Sequence, residues 1–354
     1  HINIIIISAV YPPEPQVTAR MSFDLAYNLV NLGCDVTVIC PNPSRFANVD
    51  HNKSRKYTSP IVSEEEGIRV IRLPSYTAPQ SKLLLRLRES FSFGNEVTKY
   101  LASLKVKPDV LYINSWPLFS QAIIARYAQR NTMSLILQIM DIYPEALTGK
   151  LPVILRSMVH VPLKWLDGWI AKCATVVVVI SKNMSRIYTE DRRVSAERIV
   201  MLPTWQDESL YLNTPSREEC CSRYKIPQYP FTFLYLGNIG PVAGVDFLIR
   251  AFSEAGMSDA QLVIVGDGAA KSDCVALVDR LNLNNVYFIS DPESVNVPIL
   301  QGMSHVCMLP MKKGAGLSSI PSKLPAYLFS AKPVIATLDR DSDTALFVRQ
   351  ARCG

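Results

Sequence analysis

The residue with the clearest chemical potential is Lys323. It lies in Gly314-Ala-Gly-Leu-Ser-Ser-Ile-Pro-Ser-Lys-Leu-Pro-Ala-Tyr327, where a glycine-rich approach passes Leu317 and Ser318 and enters a helix expected over Leu324–Phe329. Ser322 is the expected N-cap, and its oxygen would accept from a backbone N–H of the first turn. A cation in that turn opposes the helix dipole. An incoming diphosphate would remove the conflict, because ammonium and backbone N–H groups would both face it. The alternative is a lysine pointing into solvent. Two more loops follow expected strands. Gly237-Asn-Ile-Gly-Pro-Val-Ala-Gly244 contributes Gly237, Asn238 and Gly240, and Gly266-Asp267-Gly268 follows Leu262–Val265. Glycines let a backbone approach a phosphate closely. The spacing G-x-x-G-x-x-x-G is neither a dinucleotide fingerprint nor a P-loop, and tight-turn packing also explains both loops.

The first half offers carboxylates. Asp141 and Glu145 follow the expected strand Leu135–Ile139, where a general base or hydroxyl-orienting group belongs. A capping aspartate is the plain alternative. Glu14 follows the first strand within Tyr11-Pro-Pro-Glu14, and Arg20 comes soon after. Arg20 could reach a phosphate or carboxylate, or make a surface ion pair. Between residues 82 and 107, Lys82, Arg86, Arg88, Lys99, Lys105 and Lys107 accompany Leu83, Leu84, Leu85, Leu87, Phe91 and Phe93. Such a stretch either lies on an anionic bilayer or turns its apolar face to a core. Residues 1–204 hold 24 Lys and Arg against 16 Asp and Glu, a net of +8, and residues 205–354 hold 13 against 15, a net of −2. Charge alone admits nucleic acid, an anionic membrane, phosphorylated ligands or a plain solvated surface.

Alternating strands and helices position these groups. Ile2–Ser8 reads as a strand buried on both faces, Ala19–Leu32 as a helix stopped by Gly33, and Asp35–Cys40 as the next strand. Val70–Leu73, Val110–Asn114, Leu135–Ile139 and Thr175–Ile180 are further strands, with helices at Gln121–Arg130 and Met158–Lys172. This alternation implies a parallel sheet covered on both faces. Residues 205–230 are polar and turn-rich and read as a connection. A second α/β unit follows, with strands at Phe231–Leu236, Gln261–Val265, Val286–Ile289, Val306–Leu309 and Pro333–Ala336. Its helices are expected at Val245–Ala255, Ala270–Leu281 and Leu324–Phe329. The fold class is thus α/β: residues 1–204 and 231–354 form two doubly wound, Rossmann-like domains facing a central cleft. Ligands of such sheets bind beyond the carboxyl ends of the strands.

No run of about 18 apolar residues argues for a transmembrane helix. The sequence opens directly on the strand-like run Ile2–Ile7, so a secretory signal is not expected within it. The chain opens on His1 rather than Met and closes on Arg352-Cys353-Gly354, so its ends are expected to be incomplete, the C-terminal domain above all. Eight scattered cysteines without a C-x-x-C pair suggest a reducing, cytoplasmic setting. Four distant histidines suggest no metal site. A proline-rich segment after the first strand, without a glycine fingerprint, argues against an NAD oxidoreductase.

Together these segments resemble glycosyltransferase family 4, retaining enzymes of the GT-B fold. The resemblance rests on FLYLGNIGPVAGVDFLIRAF (233–252), QLVIVGDG (261–268), NVYFIS (285–290) and GLSSIPSKLPAYLFSAKPVIA (316–336). YPPE (11–14), QIMDIYPEAL (138–147), VVVVISKNM (176–184) and LPTWQD (202–207) extend it over nearly the whole chain. It is nearest to the bacterial surface-polysaccharide branch that includes L-fucosamine transferases. It implies transfer of a hexosyl or N-acetylhexosaminyl group from a nucleoside-diphosphate sugar to a polyprenyl-diphosphate-linked saccharide. No cofactor, metal or nucleic acid would take part. The enzyme would be peripheral on the anionic inner face of the cytoplasmic membrane, in O-antigen, capsule or exopolysaccharide synthesis.

By position, Gly237, Asn238, Gly240, Gly266, Asp267, Gly268, Ile289, Leu317, Ser318, Ser322, Lys323 and Leu324 would bind donor. Glu14, Arg20, Asp141 and Glu145 would face the acceptor, with Asp141 and Lys323 catalytic. The family's E-x7-E glutamates align to Ser318 and Ala326, and its loop Arg and Lys to Asn238 and Ala243. Lys323 and Arg20 are the candidates to compensate. A non-catalytic scaffold and a nucleotide-sugar epimerase are the alternatives.

Overall fold

The computed structural model describes residues 1–14, 16–44, 59–77, 83–114, 117–145, 153–290, 296–314 and 320–354, side chains at 83–84 and 153–157 excepted. The chain separates into two compact units, His1–Thr204 and Trp205–Gly354.

The first unit begins β1 (Asn3–Ser8), α1 (Val17–Asn31), β2 (Asp35–Pro41), β3 (Ile61–Glu65) and β4 (Ile68–Leu73). It continues α2 (Leu83–Ser103), β5 (Val110–Asn114), α3 (Leu118–Arg130), β6 (Ser134–Ile139), α4 (Val153–Cys173), β7 (Val176–Val179), α5 (Lys182–Glu190) and β8 (Ile199–Met201). Among the described residues, eight strands form one sheet in the order β3-β4-β2-β1-β5-β6-β7-β8. The apolar run Ile4–Ile7 is buried throughout, as a central parallel strand requires. Ile4, Ile6, Val36, Val38, Val70 and Tyr112 pack with Ala26 of α1 into a core on one face.

The expectation of a wholly parallel sheet needs one correction. β3 runs antiparallel to β4. Glu66 and Gly67 between them have φ of 51° and 75°, the paired positive values of a two-residue hairpin turn. β3 is an edge strand with exposed residues, so it lacks the apolar run that marks its neighbours. The basic, apolar stretch resolves in favour of the core. Phe93, Val97 and Leu101 of α2 are buried, and a Cβ on Gly94 would lie 2.8 Å from Ser120 Cα of α3. Lys82 and Leu83–Leu84 lie outside the described side chains. Among the described residues, no helix is long and apolar enough to cross a membrane.

The second unit contains α6 (Arg217–Arg223), β9 (Phe231–Leu236), α7 (Val245–Ala255), β10 (Ala260–Val265), α8 (Lys271–Arg280) and β11 (Val286–Ile289). There follow α9 (Val297–Gly302), β12 (Val306–Pro310), α10 (Lys323–Phe329), β13 (Val334–Thr337) and α11 (Asp343–Ala351). The strand order is β11-β10-β9-β12-β13, parallel throughout. Alternate residues feed two cores. Tyr235, Leu262 and Ile264 pack beside Ile249 and Leu277, while Leu234, Val263, Val265 and Leu309 pack beside Tyr327 and Leu324. Residues 205–230, read as a connection, belong to this unit. Cys220 and Cys221 of α6 are buried in its second core. All eight cysteines are free.

Candidate functional site

The glycine loops of the second unit leave β9 and β10 side by side and are stitched backbone to backbone. Gly237 N donates to Val265 O (3.0 Å), Gly266 N to Ile289 O (2.8 Å), and Ile239 N to Asp267 O (2.9 Å). A Cβ on Gly266 would fall 2.1 Å from Gly237 O, and one on Gly268 would fall 2.4 Å from Ile239 O. Both glycines also have positive φ, 134° and 156°. The tight-packing reading therefore holds for Gly266 and Gly268. Gly240 lies against Asn238, where a Cβ would meet Nδ2 at 3.3 Å. Gly237 differs: its bare Cα faces a side chain, and a Cβ there would lie 2.9 Å from Lys323 Nζ.

Lys323 is the first residue of α10, and its side chain folds back onto the end of β9. Nζ donates to Tyr235 Oη (3.0 Å) and sits 4.1 Å from the Tyr235 ring centroid. Tyr235 Oη in turn donates to Asn238 O (2.7 Å). One helical turn after Lys323, Tyr327 Oη accepts from Leu236 N (3.1 Å) and lies 3.2 Å from Met308 O. Two tyrosines thus bracket the end of β9. Burial lowers the Lys323 pKa to about 8. The helix start is held from outside, with Gln206 Nε2 donating to Ser322 O (2.7 Å). Ser322 occupies the N-cap position, but its side chain makes no capping bond, which corrects that expectation. Its φ and ψ of −63° and −17° are helical, so its hydroxyl is not placed like that of an extended cap.

The remaining donor-side candidates differ in what they do. Asp267 pairs with Lys271 (2.6 Å), and Lys271 also bonds Ser290 Oγ. Ile289 is half-buried and packs against the second core, in which Leu324 is fully enclosed. Leu317 and Ser318 lie outside the described residues.

In the first unit, Asp141 follows β6 and is half-buried. The loop that carries it is clamped by Arg192, whose side chain is wholly enclosed. Arg192 Nη2 donates to Tyr143 O and to Glu145 Oε2 (3.0 Å). Its Nε donates to Asp167 Oδ2 (2.9 Å), and Tyr188 Oη donates to Asp167 Oδ1 (2.8 Å). Burial pushes the Asp167 pKa up to about 6, against the opposing pull of Arg192, so it remains ionised at neutral pH. Glu145 therefore serves the clamp. Glu14 is buried and accepts from Ser44 N (2.6 Å). Arg20 is more than half exposed and pairs with Asp24 one turn along α1 (2.9 Å), the surface ion pair that its spacing allowed. Among the described residues, no three His, Cys, Asp or Glu side chains converge as a metal ligand set.

Sequence reasoning missed Arg192, Asp167, Tyr188, Tyr235 and Tyr327. Asp167, Tyr188, Tyr235 and Tyr327 have largely apolar neighbours and read as core, whereas Arg192 lies in the charged run Asp191-Arg192-Arg193 and reads as surface. Nothing local ties Tyr235 to a lysine 88 positions later.

Two Rossmann-like units with polar loops beyond their strands define an α/β protein of the GT-B class. Residues 18–205 match the model of the glycosyl transferase 4-like domain, and residues 216–338 match that of glycosyl transferases group 1. The chain belongs to this glycosyltransferase family. It is similar to WcaI of Escherichia coli (strain K12), a glycosyl transferase named for colanic acid biosynthesis. The two are 24% identical over 341 residues, covering 92% of this chain and 81% of WcaI. Its fold resembles sucrose-phosphate synthase from Thermosynechococcus elongatus, with a TM-score of 0.70 at 16% identity over 94% of this chain and 81% of that one. It also resembles Anabaena Alr3699/HepE, solved with UDP and glucose, with a TM-score of 0.66 at 16% identity over 98% and 83%.

Replacing Arg192 by Met leaves Asp167 buried without its cation. The expected cost is about 3–5 kcal/mol, read as a shifted urea midpoint of the first unit; a loss below about 1 kcal/mol contradicts the clamp. Gly266→Ala drives a methyl into a carbonyl and is expected to cost at least about 1–3 kcal/mol. An unchanged thermal midpoint contradicts the backbone packing.

Proposed function

We propose that the chain moves a sugar from a nucleoside-diphosphate sugar to a lipid-linked glycan, with retention of anomeric configuration, in the synthesis of a bacterial surface polysaccharide. The observation that carries this reading is the Lys323 ammonium seated on the bare Cα of Gly237. The chemical need in such a transfer is to stabilise the diphosphate as the glycosidic bond stretches. A preorganised cation beside backbone amides meets that need. Family membership supports the transferase class, and relatives such as WcaI support the polysaccharide setting.

Asp141 is proposed to orient the acceptor hydroxyl from the loop that Arg192 fixes. The sugar is proposed to be hexosyl or N-acetylhexosaminyl, L-fucosamine type included, and the reaction to need no metal. The basic first unit is proposed to rest on an anionic membrane surface, where a polyprenyl-diphosphate acceptor would lie. The empty family positions at Asn238 and Ala243 favour one second reading, a non-catalytic scaffold that binds no nucleotide sugar.

A thermal-shift panel of UDP-, GDP-, TDP- and ADP-sugars identifies the donor, since only a ligand of the native state stabilises it. Stabilisation by none of them supports the scaffold. For the nucleoside diphosphate so found, Lys323→Ala is expected to weaken binding roughly 10- to 100-fold by calorimetry, the worth of a charged hydrogen bond. An anion favours the charged lysine, whose pKa in the free protein is about 8. Affinity is therefore expected to fall as pH rises from 7 through 9, with proton uptake on binding above pH 8. Equal affinity at pH 7 and 9 argues against this role of Lys323. Vesicles rich in anionic lipid are expected to float the protein at low salt and release it at high salt. No flotation at low salt counts against the membrane reading.

A further inference from the structure

We propose that Tyr235 is the positioning residue for Lys323: its ring face and its hydroxyl together hold the ammonium on Gly237 before any ligand arrives. This rests on the donor-side role of Lys323 proposed above, and it adds a residue that neither the resemblance nor the motif spacing assigns.

The hydrogen-bond roles are fixed by proton count. A phenol has one O–H to give, and Tyr235 gives it to Asn238 O at 2.7 Å. Toward Lys323 the same oxygen can only accept, and it does so at 3.0 Å. The hydroxyl is thus oriented by a loop carbonyl to present a lone pair to the cation. The ring contributes separately, because Nζ lies 4.1 Å from its centroid, within the range where a ring face attracts a cation. Tyr235 itself cannot drift. It is fully buried, and its strand is hydrogen-bonded on both sides, by β10 and β12.

The ammonium is left with capacity to spare. It carries three N–H bonds, and among the described residues its one hydrogen bond goes to Tyr235. Two N–H donors on a half-buried cation remain for a ligand. An anion with several oxygens, such as a diphosphate, would supply acceptors for them. Among the described residues, the polar contact and the ring contact of Lys323 Nζ both go to Tyr235. Its strand delivers it two residues before the glycine that Lys323 covers.

The test separates positioning from plain core packing by a double-variant cycle and by a readout of the lysine itself. The probes are UDP and inorganic pyrophosphate, with binding measured by calorimetry on the full chain. Tyr235→Phe keeps the ring and loses the hydroxyl; it is expected to weaken pyrophosphate binding by about threefold to tenfold. Tyr235→Leu loses both and is expected to approach the Lys323→Ala level. The combination of Tyr235→Leu with Lys323→Ala is expected to bind no more weakly than Lys323→Ala alone, because one loss contains the other. Purely additive losses would overturn the proposal. So would wild-type affinity in Tyr235→Phe.

The second readout needs no ligand. The rate at which acetic anhydride acetylates Lys323, followed by peptide mass spectrometry across pH 6–11, reports the lysine's own titration. In Tyr235→Leu the freed side chain is expected to reach water and titrate nearer an ordinary lysine, at about 10.4. An unchanged titration in a variant that remains folded by circular dichroism overturns the positioning role. If Lys323→Ala binds both probes as well as the wild type does, the donor-site reading fails. The acetylation profile then still decides whether Tyr235 holds the lysine.

Discussion

An ammonium withdrawn from water beside a backbone with no side chain is the feature on which the second unit is organised. Burial opposes its charge, and that opposition is visible in the depressed pKa of Lys323. The surroundings offset it in two ways. Tyr235 supplies a ring face and a lone pair, and Tyr327, one turn further along α10, ties the helix to Leu236 N. The two hydroxyls bond Leu236 and Asn238, on either side of Gly237. Strand end and helix start are therefore a single rigid object, although they are nearly ninety positions apart in sequence.

That object requires the glycines. Gly266 and Gly268 let the β10 loop lie on the β9 loop with carbonyl oxygens where side chains would otherwise stand. The backbone bonds from Gly237 and Ile239 to Val265 and Asp267 close the seam. The motif thus serves packing and exposure at once. Two glycines are consumed by loop-on-loop contact, and Gly237 alone is kept bare for the lysine. In the first unit the same problem is solved with charge. Arg192 reaches a carbonyl and two carboxylates, and so fixes the loop that carries Asp141. Such a buried pair adds little to stability compared with an apolar core. Its contribution is a single defined loop geometry.

Much of this was legible from residue order. Continuous apolar runs such as Ile4–Ile7 and Leu262–Val265 announce strands enclosed on both faces, and the loops after them announce the site end of the sheet. Lys323 could be singled out because a cation at a helix start is locally unfavourable. Other features were hidden for physical reasons. β3 is an exposed edge whose identity comes from its turn, not from an apolar pattern. α6 has polar neighbours on both sides, and only Cys220 and Cys221 betray a buried face. Arg192 stands beside Arg193 and Asp191 in a run that reads as solvated, and burial alone distinguishes it. Tyr235 looks like any aromatic residue on a buried strand until the lysine is placed above it. The basic stretch over α2 was ambiguous in sequence, because its amphipathicity fits a core and a bilayer equally; contact with α3 decides it.

The loop after β9, Gly237 to Gly244, carries Asn238 and Ala243 and brings no positive side chain of its own. Two other lysines near these loops face carboxylates: Lys271 faces Asp267 at 2.6 Å, and Lys312 faces Asp246 at 3.5 Å. Each such pair presents little net field to an incoming anion. Lys323 instead bonds a neutral phenol, so its whole charge is retained and aimed along the glycine floor. Concentrating the field in one partly desolvated cation makes its strength depend on how far water is excluded, since attraction between charges grows as the local dielectric falls. A loop arginine in water would act at any stage of binding. In the proposed donor role, a lysine set on Tyr235 would act most strongly once a ligand had displaced the remaining water, which would tie electrostatic stabilisation to an occupied site.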